Sequence, residues 1–100
     1  ESEYVHFYKS IFMPSWKLLS DGAQHLLIAM ANFAPNVGGT YEAIQATSGL
    51  SDDILSQNID ELWRFSFLDV GKAGSLKKVR YYLHALTQYF VLSDIVKVLK

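Results

Sequence analysis

The spacing of hydrophobic residues changes twice along this chain, and that constrains its fold more than any single motif. As far as Ser66 the apolar residues recur every three or four positions, as on one face of a helix. From Phe67 to Leu83 they alternate, as in strands, and from Ala85 the helical spacing returns. The chain has 100 residues, half of them hydrophobic, which is enough for one core and too little for two. Residues 1–100 are therefore read as a single domain, mainly α with a small β-hairpin.

Tyr4, Val5, Tyr8, Ile11 and Phe12 keep helical spacing up to Pro14, which disfavours helix at Met13 and can open a new one. A break is predicted there, followed by a short turn carrying Trp16, Leu18 and Leu19. Ser20 is the expected N-cap of the clearest amphipathic helix, in which Ala23, Leu26, Leu27, Met30, Ala31 and Ala34 share one face. "PNVGG" reads as the turn that ends it. Thr40 is expected to cap a brief helix through Ile44 that stops near Gly49. Ser51, Asp52 and Asp53 then open another that buries Leu55, Ile59 and Leu62.

These two helices form a helix-turn-helix. Phe67 to Val70 is predicted as one strand, and Val79, Tyr81 and Leu83, alternating with Lys78, Arg80 and Tyr82, as a second, with "GKAGSLKK" as the hairpin loop. The closing helix offers Leu86, Tyr89, Phe90, Ile95, Val98 and Leu99 for burial. Three helices, a two-stranded wing and a closing helix together make a winged helix-turn-helix.

Nine basic residues nearly balance ten acidic ones, so no global field draws the chain to nucleic acid or anionic lipid. The absence of cysteine excludes disulfides and thiolate chemistry and fits a cytoplasmic location. Apolar stretches such as "LLIAMANFA" fall short of the about 18 residues a membrane span needs, and no membrane partner is expected. The start at Glu1 rather than methionine suggests a domain excised from a longer, multidomain protein.

Most chemical motifs dissolve on inspection. A Walker A loop needs its lysine and hydroxyl residue last, between a strand and a helix, so that backbone amides and the ammonium converge on phosphate. "GKAGS" has the wrong order and "NVGGT" lacks the lysine, so both read as turns. His6 and His25 have no metal-ligand type of residue at i+3 or i+4 and read as surface or half-buried histidines. The pairs Asp52 and Asp53, and Asp60 and Glu61, diverge by about 100° around a helix and read as solvated charge. No G-x-S-x-G elbow is present, so an enzyme is not expected.

Between Ser51 and Ser66, Asp52, Asp53, Asp60 and Glu61 stand against Arg64 alone, a net charge of minus three on the helix that would enter a DNA groove. Charge thus argues against nucleic acid as a partner, although Lys72, Lys77, Lys78 and Arg80 give the hairpin a basic character suited to backbone phosphates. His84, in "RYYLHALTQYFV", sits where the strand pattern stops and the helical one starts. There it can point into a groove and donate to a phosphate oxygen, or simply pack the junction.

"YKSIFMPSWKLLSDGAQHLLIAMANFAPNVGGTYEAI", "LSQNIDELWRFSFLDV" and "RYYLHALTQYFV" resemble the winged-helix domain of bacterial NB-ARC or STAND-type signalling NTPases, relatives of plant resistance proteins and apoptotic-protease activators. The resemblance spans residues 8 to 91 and rests on Pro14, Ser15, Trp16, Phe33, Tyr81, Leu83, His84, Leu86 and Thr87. It departs at Ala85, where bacterial relatives carry proline and plant ones aspartate.

The resemblance implies a non-catalytic regulatory module that binds no cofactor alone. An upstream P-loop domain of the same chain would hold ADP or ATP, and a repeat sensor could follow. His84 would be the nucleotide-sensing residue that locks the ADP-bound, inactive state. The alternatives are a DNA-binding winged helix of a transcription regulator and a winged helix used only for protein–protein interaction.

Overall fold

The computed structural model describes residues 3–73 and 78–96. The protein is mainly helical with a small two-stranded antiparallel sheet, in the order α1 (Glu3–Leu18), α2 (Asp21–Met30), α3 (Tyr41–Ser48), α4 (Asp52–Arg64), β1 (Asp69–Ala73), β2 (Lys78–Tyr82) and α5 (Ala85–Phe90). A π-helical segment, Val91–Val96, continues α5. Among the described residues no helix is long and apolar enough to cross a membrane.

The central helix is α2, whose Ala23, Leu26, Leu27 and Met30 are buried against Ile44 of α3, Leu55 and Leu62 of α4, and Phe90 and Val91 at the chain's far end. Burying a leucine of this kind stabilises the fold by about 1.5–3 kcal/mol. Local chemistry fixes the helix starts as expected. The Ser20 hydroxyl accepts from the Ala23 amide at 3.2 Å, and the Thr40 hydroxyl accepts from the Ala43 amide at 3.2 Å. Gly49 ends α3 in the left-handed conformation (φ 72°), open to glycine without steric cost.

Four expectations are corrected. First, α1 runs unbroken through Pro14. The proline removes one donor, the amide that would reach the Ser10 carbonyl, on a solvent-exposed face where water can replace it. Packing on both sides of it prevails: Phe12 stacks on Tyr8 (centroids 4.0 Å apart) and tilts on Phe67 (5.1 Å), while Trp16 meets Phe90 edge-on (6.5 Å).

Second, α2 stops at Met30, so Ala34 is exposed. The Gln88 side-chain amide donates to the carbonyls of Ala31 (3.0 Å) and Phe33 (2.9 Å), terminating the helix from α5.

Third, the strands pair at Asp69–Tyr82, Val70–Tyr81, Gly71–Arg80, Lys72–Val79 and Ala73–Lys78, so β1 starts two residues later than expected and takes in Gly71, Lys72 and Ala73 from the expected loop, while β2 starts at Lys78 and ends at Tyr82, one residue short of Leu83. Phe67 and Leu68 are core connectors instead, because α4 ends in a Schellman motif. The Phe67 amide donates to the Leu62 carbonyl (2.9 Å) and the Ser66 amide to that of Trp63 (3.0 Å), which turns Phe67 inward onto Leu62. Ser66 takes the left-handed position (φ 64°) that glycine usually fills.

Fourth, Tyr89 is exposed, at 48%. The rest of the predicted loop, residues 74–77, and the expected core residues Val98 and Leu99 lie outside the described residues.

A further contact joins the hairpin to the turn before α3. Gly39 and Tyr81 exchange two backbone hydrogen bonds, of 3.0 and 2.8 Å, in an isolated antiparallel bridge. The Asn36 amide donates to the Leu83 carbonyl at 2.8 Å. Arg80 donates to the carbonyls of Val37 (3.0 Å) and Gly38 (2.8 Å). The hairpin thus leaves its base in a fixed orientation, and that base carries the residues of the site.

Candidate functional site

His84 follows β2 directly and is the N-cap residue of α5, in extended conformation (φ −68°, ψ 155°). Its imidazole does not cap the helix; it turns outward, with 58% of the side chain exposed. Nε2 contacts the Oδ2 atom of Asp69, and the ring lies edge-on to Tyr82 with centroids 6.0 Å apart.

Strand alternation explains the grouping. Asp69 faces Tyr82 in the ladder and His84 lies two residues on, so all three fall on the same side of the hairpin. Ala85, next in the chain, adds only a methyl group beside the ring and leaves the imidazole open to the groove.

That groove has a volume of about 550 Å³. Tyr8 and Phe12 of α1 form one wall and Ala85 and Leu86 of α5 another; Asn36, Ser66, Asp69 and His84 complete it. Asn36 and Ser66 are the non-glycine residues with positive φ among those described (65° and 64°), and both border this groove. Strained backbone of this kind concentrates at functional surfaces. Beneath it, the Tyr8 hydroxyl and the buried Thr87 hydroxyl share a hydrogen bond of 2.6 Å that ties α1 to α5.

The acidic and basic side chains among the described residues that line the groove are Asp69 and His84, with neither lysine nor arginine among them. With Nε2–H directed at the carboxylate, Nδ1 of the neutral ring is an acceptor, and it becomes a donor only in the imidazolium. To donate to an anion, the ring must either carry both protons or leave Asp69. One such donor is too little to hold a phosphate unaided.

His6 and His25 are exposed, and among the described residues no group of three or more histidine, aspartate or glutamate side chains could hold a metal ion. Of "GKAGS", the first three residues lie in β1 and the others outside the described residues; "NVGGT" forms the turn bridged to Tyr81. Arg80 spends its guanidinium on backbone carbonyls instead of facing solvent as a phosphate ligand. Lys77 lies outside the described residues, as do the side chains of Lys72 and Lys78.

Sequence reasoning missed Asp69. The signal for it is the pairing register, which sets Asp69 across from Tyr82 and becomes visible only once the strands are aligned. A scan against protein-family models finds no match, and searches of curated proteins and of solved structures likewise find none.

Proposed function

We propose that this chain is the winged-helix regulatory module of a STAND-type NTPase and that His84 senses the phosphates of ADP held by a P-loop domain of the same protein. The observation that carries the reading is the outward-turned His84 imidazole at the mouth of a groove, held by Asp69 and unused by the core. The architecture supports it: α3 and α4 make the helix-turn-helix, β1 and β2 the wing, and the Gly39–Tyr81 bridge stands where a third wing strand would pair.

In this reading the domain performs no catalysis and holds no nucleotide alone, since the one cationic donor its groove can offer a phosphate, His84, stands beside an opposing carboxylate. With ADP bound next door, the ring exchanges Asp69 for a phosphate oxygen and closes the receptor. When the nucleotide changes, the ring returns to Asp69 and the contact between domains is lost. A charge-assisted hydrogen bond of this type is worth about 1.5–3 kcal/mol, enough to bias a two-state arrangement of domains. Cytoplasmic location belongs to the same proposal.

DNA binding is disfavoured by the acidic α4 and the committed Arg80.

The test is ADP release from the full-length protein. His84→Ala should speed release by about tenfold or more and leave ATP affinity nearly unchanged, because a residue shifts an equilibrium only through contacts that differ between its states. Lys77→Ala and Lys78→Ala should leave the rate unchanged. An unaltered rate in His84→Ala would return this histidine to a junction-packing role.

A further inference from the structure

The side of the hairpin opposite His84 carries a second surface. Val70 and Tyr81 are paired in the ladder and point away from Asp69 and Tyr82. Beside them stands Trp63 of α4, which is 55% exposed, while Val70 and Val79 are 44% and 43% exposed. Two adjoining grooves lie there. One, of about 280 Å³, runs between Trp63, Val70 and Tyr81; the other, of about 300 Å³, runs between Tyr41, Val79 and Tyr81. Tyr41 and Tyr81 border both, so the two grooves meet at a shared aromatic edge, with Glu42, Ser56 and Asp60 as polar lining. Contiguous exposed apolar surface rimmed by polar groups marks a binding site more often than scattered hydrophobic residues do.

The floor of this surface is rigid. The Tyr41 hydroxyl donates to the backbone carbonyl of Asp52 (3.2 Å) and to its carboxylate (3.3 Å), lies 3.1 Å from the Ser56 hydroxyl, and its ring meets Tyr81 edge-on at 6.3 Å. A partner therefore finds two aromatic rings already positioned, and little side-chain entropy is lost on docking.

The rim gives the partner's chemistry. From Tyr41 to Arg64 the sequence holds Glu42, Asp52, Asp53, Asp60 and Glu61 against Arg64 alone. Glu61 turns away to Ser20, and Arg64 pairs with Asp60 within α4 at 3.1 Å. Both members of that pair are more than half exposed, at 64% and 62%, so the pair is weak and readily exchanged for another cation. Glu42, Asp52 and Asp53 add exposed negative charge along α3 and the start of α4. Lys72 lies across from Val79 on this same side of the ladder, so the part of the face that accepts a cation is its α4 edge, where Asp60 borders the groove beside Trp63.

We infer that the α4–hairpin face docks a polypeptide segment in which lysine or arginine residues flank large apolar side chains: the apolar groups fill the two grooves and the cations meet Asp53 and Asp60. A nucleic acid fits the same face poorly, because its phosphates would meet these carboxylates. The inference is independent of nucleotide sensing by His84.

The test uses a synthetic amphipathic Lys/Leu peptide, its Glu/Leu counterpart and a DNA duplex, each titrated into the protein with backbone amide shifts followed by NMR. Only the Lys/Leu peptide is expected to bind, with shifts concentrated at Ser56, Asp60, Trp63, Val70 and Val79. Trp63→Ser and the double variant Asp53→Lys, Asp60→Lys should each weaken it by about tenfold or more. Both alter exposed positions, so circular dichroism should show an intact fold. Phe7→Ser, on the outer face of α1, should leave binding unchanged.

Equal binding of the Glu/Leu peptide, amide shifts on this face with DNA, or an unchanged affinity in either variant would overturn the inference, as would absence of binding. Self-association of the protein that Trp63→Ser abolishes would assign the face to a second copy of the chain instead.

Discussion

Gly38 and Gly49 both hold left-handed backbone, at φ 64° and 72°, yet their replacement by alanine should have very different costs. A Cβ at Gly49 would meet nothing within 4 Å, so Gly49→Ala carries only the conformational penalty. That penalty is about 1–2 kcal/mol for a left-handed alanine, partly offset by the lower entropy of the unfolded chain, leaving about 1 kcal/mol. At Gly38 the added atom would stand 1.9 Å from the Tyr81 carbonyl oxygen and 2.6 Å from the Tyr82 Cα, and backbone cannot rotate aside as a side chain can.

The turn must then move off the hairpin. It would give up the two Gly39–Tyr81 hydrogen bonds and the two from Arg80 to Val37 and Gly38. At about 1 kcal/mol net for each buried or half-buried bond, discounted for the more exposed one, Gly38→Ala should cost about 4 kcal/mol in all. Urea denaturation of both variants, analysed with a common m-value, measures the difference directly. A gap of about 3 kcal/mol between them is expected. Equal losses would refute the reasoning, since they would mean that the contact with Tyr81 adds nothing to the backbone term.

Ser66→Gly should stabilise the protein by about 0.5–1 kcal/mol, because glycine fills the left-handed Schellman position without strain; thermal unfolding checks the sign. Glu61→Ala removes the acceptor of the Ser20 amide (2.7 Å) and hydroxyl (2.9 Å). It should cost about 1 kcal/mol in denaturant unfolding, less at high salt, since the carboxylate is only half-buried and its charge is screened.

Local chemistry was legible in the sequence. Ser20 and Thr40 cap the helices they were expected to cap, and Leu55, Ile59 and Leu62 are buried on α4 as their spacing requires. These features depend on residues within a turn or two of each other. What was not legible depends on partners far along the chain. Pro14 fails to break α1 because Phe12 and Trp16 are held by Phe67 and Phe90, more than fifty residues away in sequence. The consecutive apolar pair Phe67 and Leu68 reads equally as a strand or a core connector, and only the left-handed turn at Ser66 decides between them. His84 was visible as a junction residue, but Asp69 was not, because no local pattern specifies the register that aligns them.

Among the described residues, the hydrogen bonds that tie the hairpin to the turn before α3 gather at one end of it. The Gly39–Tyr81 bridge, the Asn36–Leu83 hydrogen bond and the grip of Arg80 on the preceding turn secure residues 80–83. Mechanically, this end is a clamp, and it lies where Tyr82 leads into His84. The imidazole thus rides on the fixed end of the hairpin, and the bonds that anchor that end also set the place of His84 relative to the turn before α3.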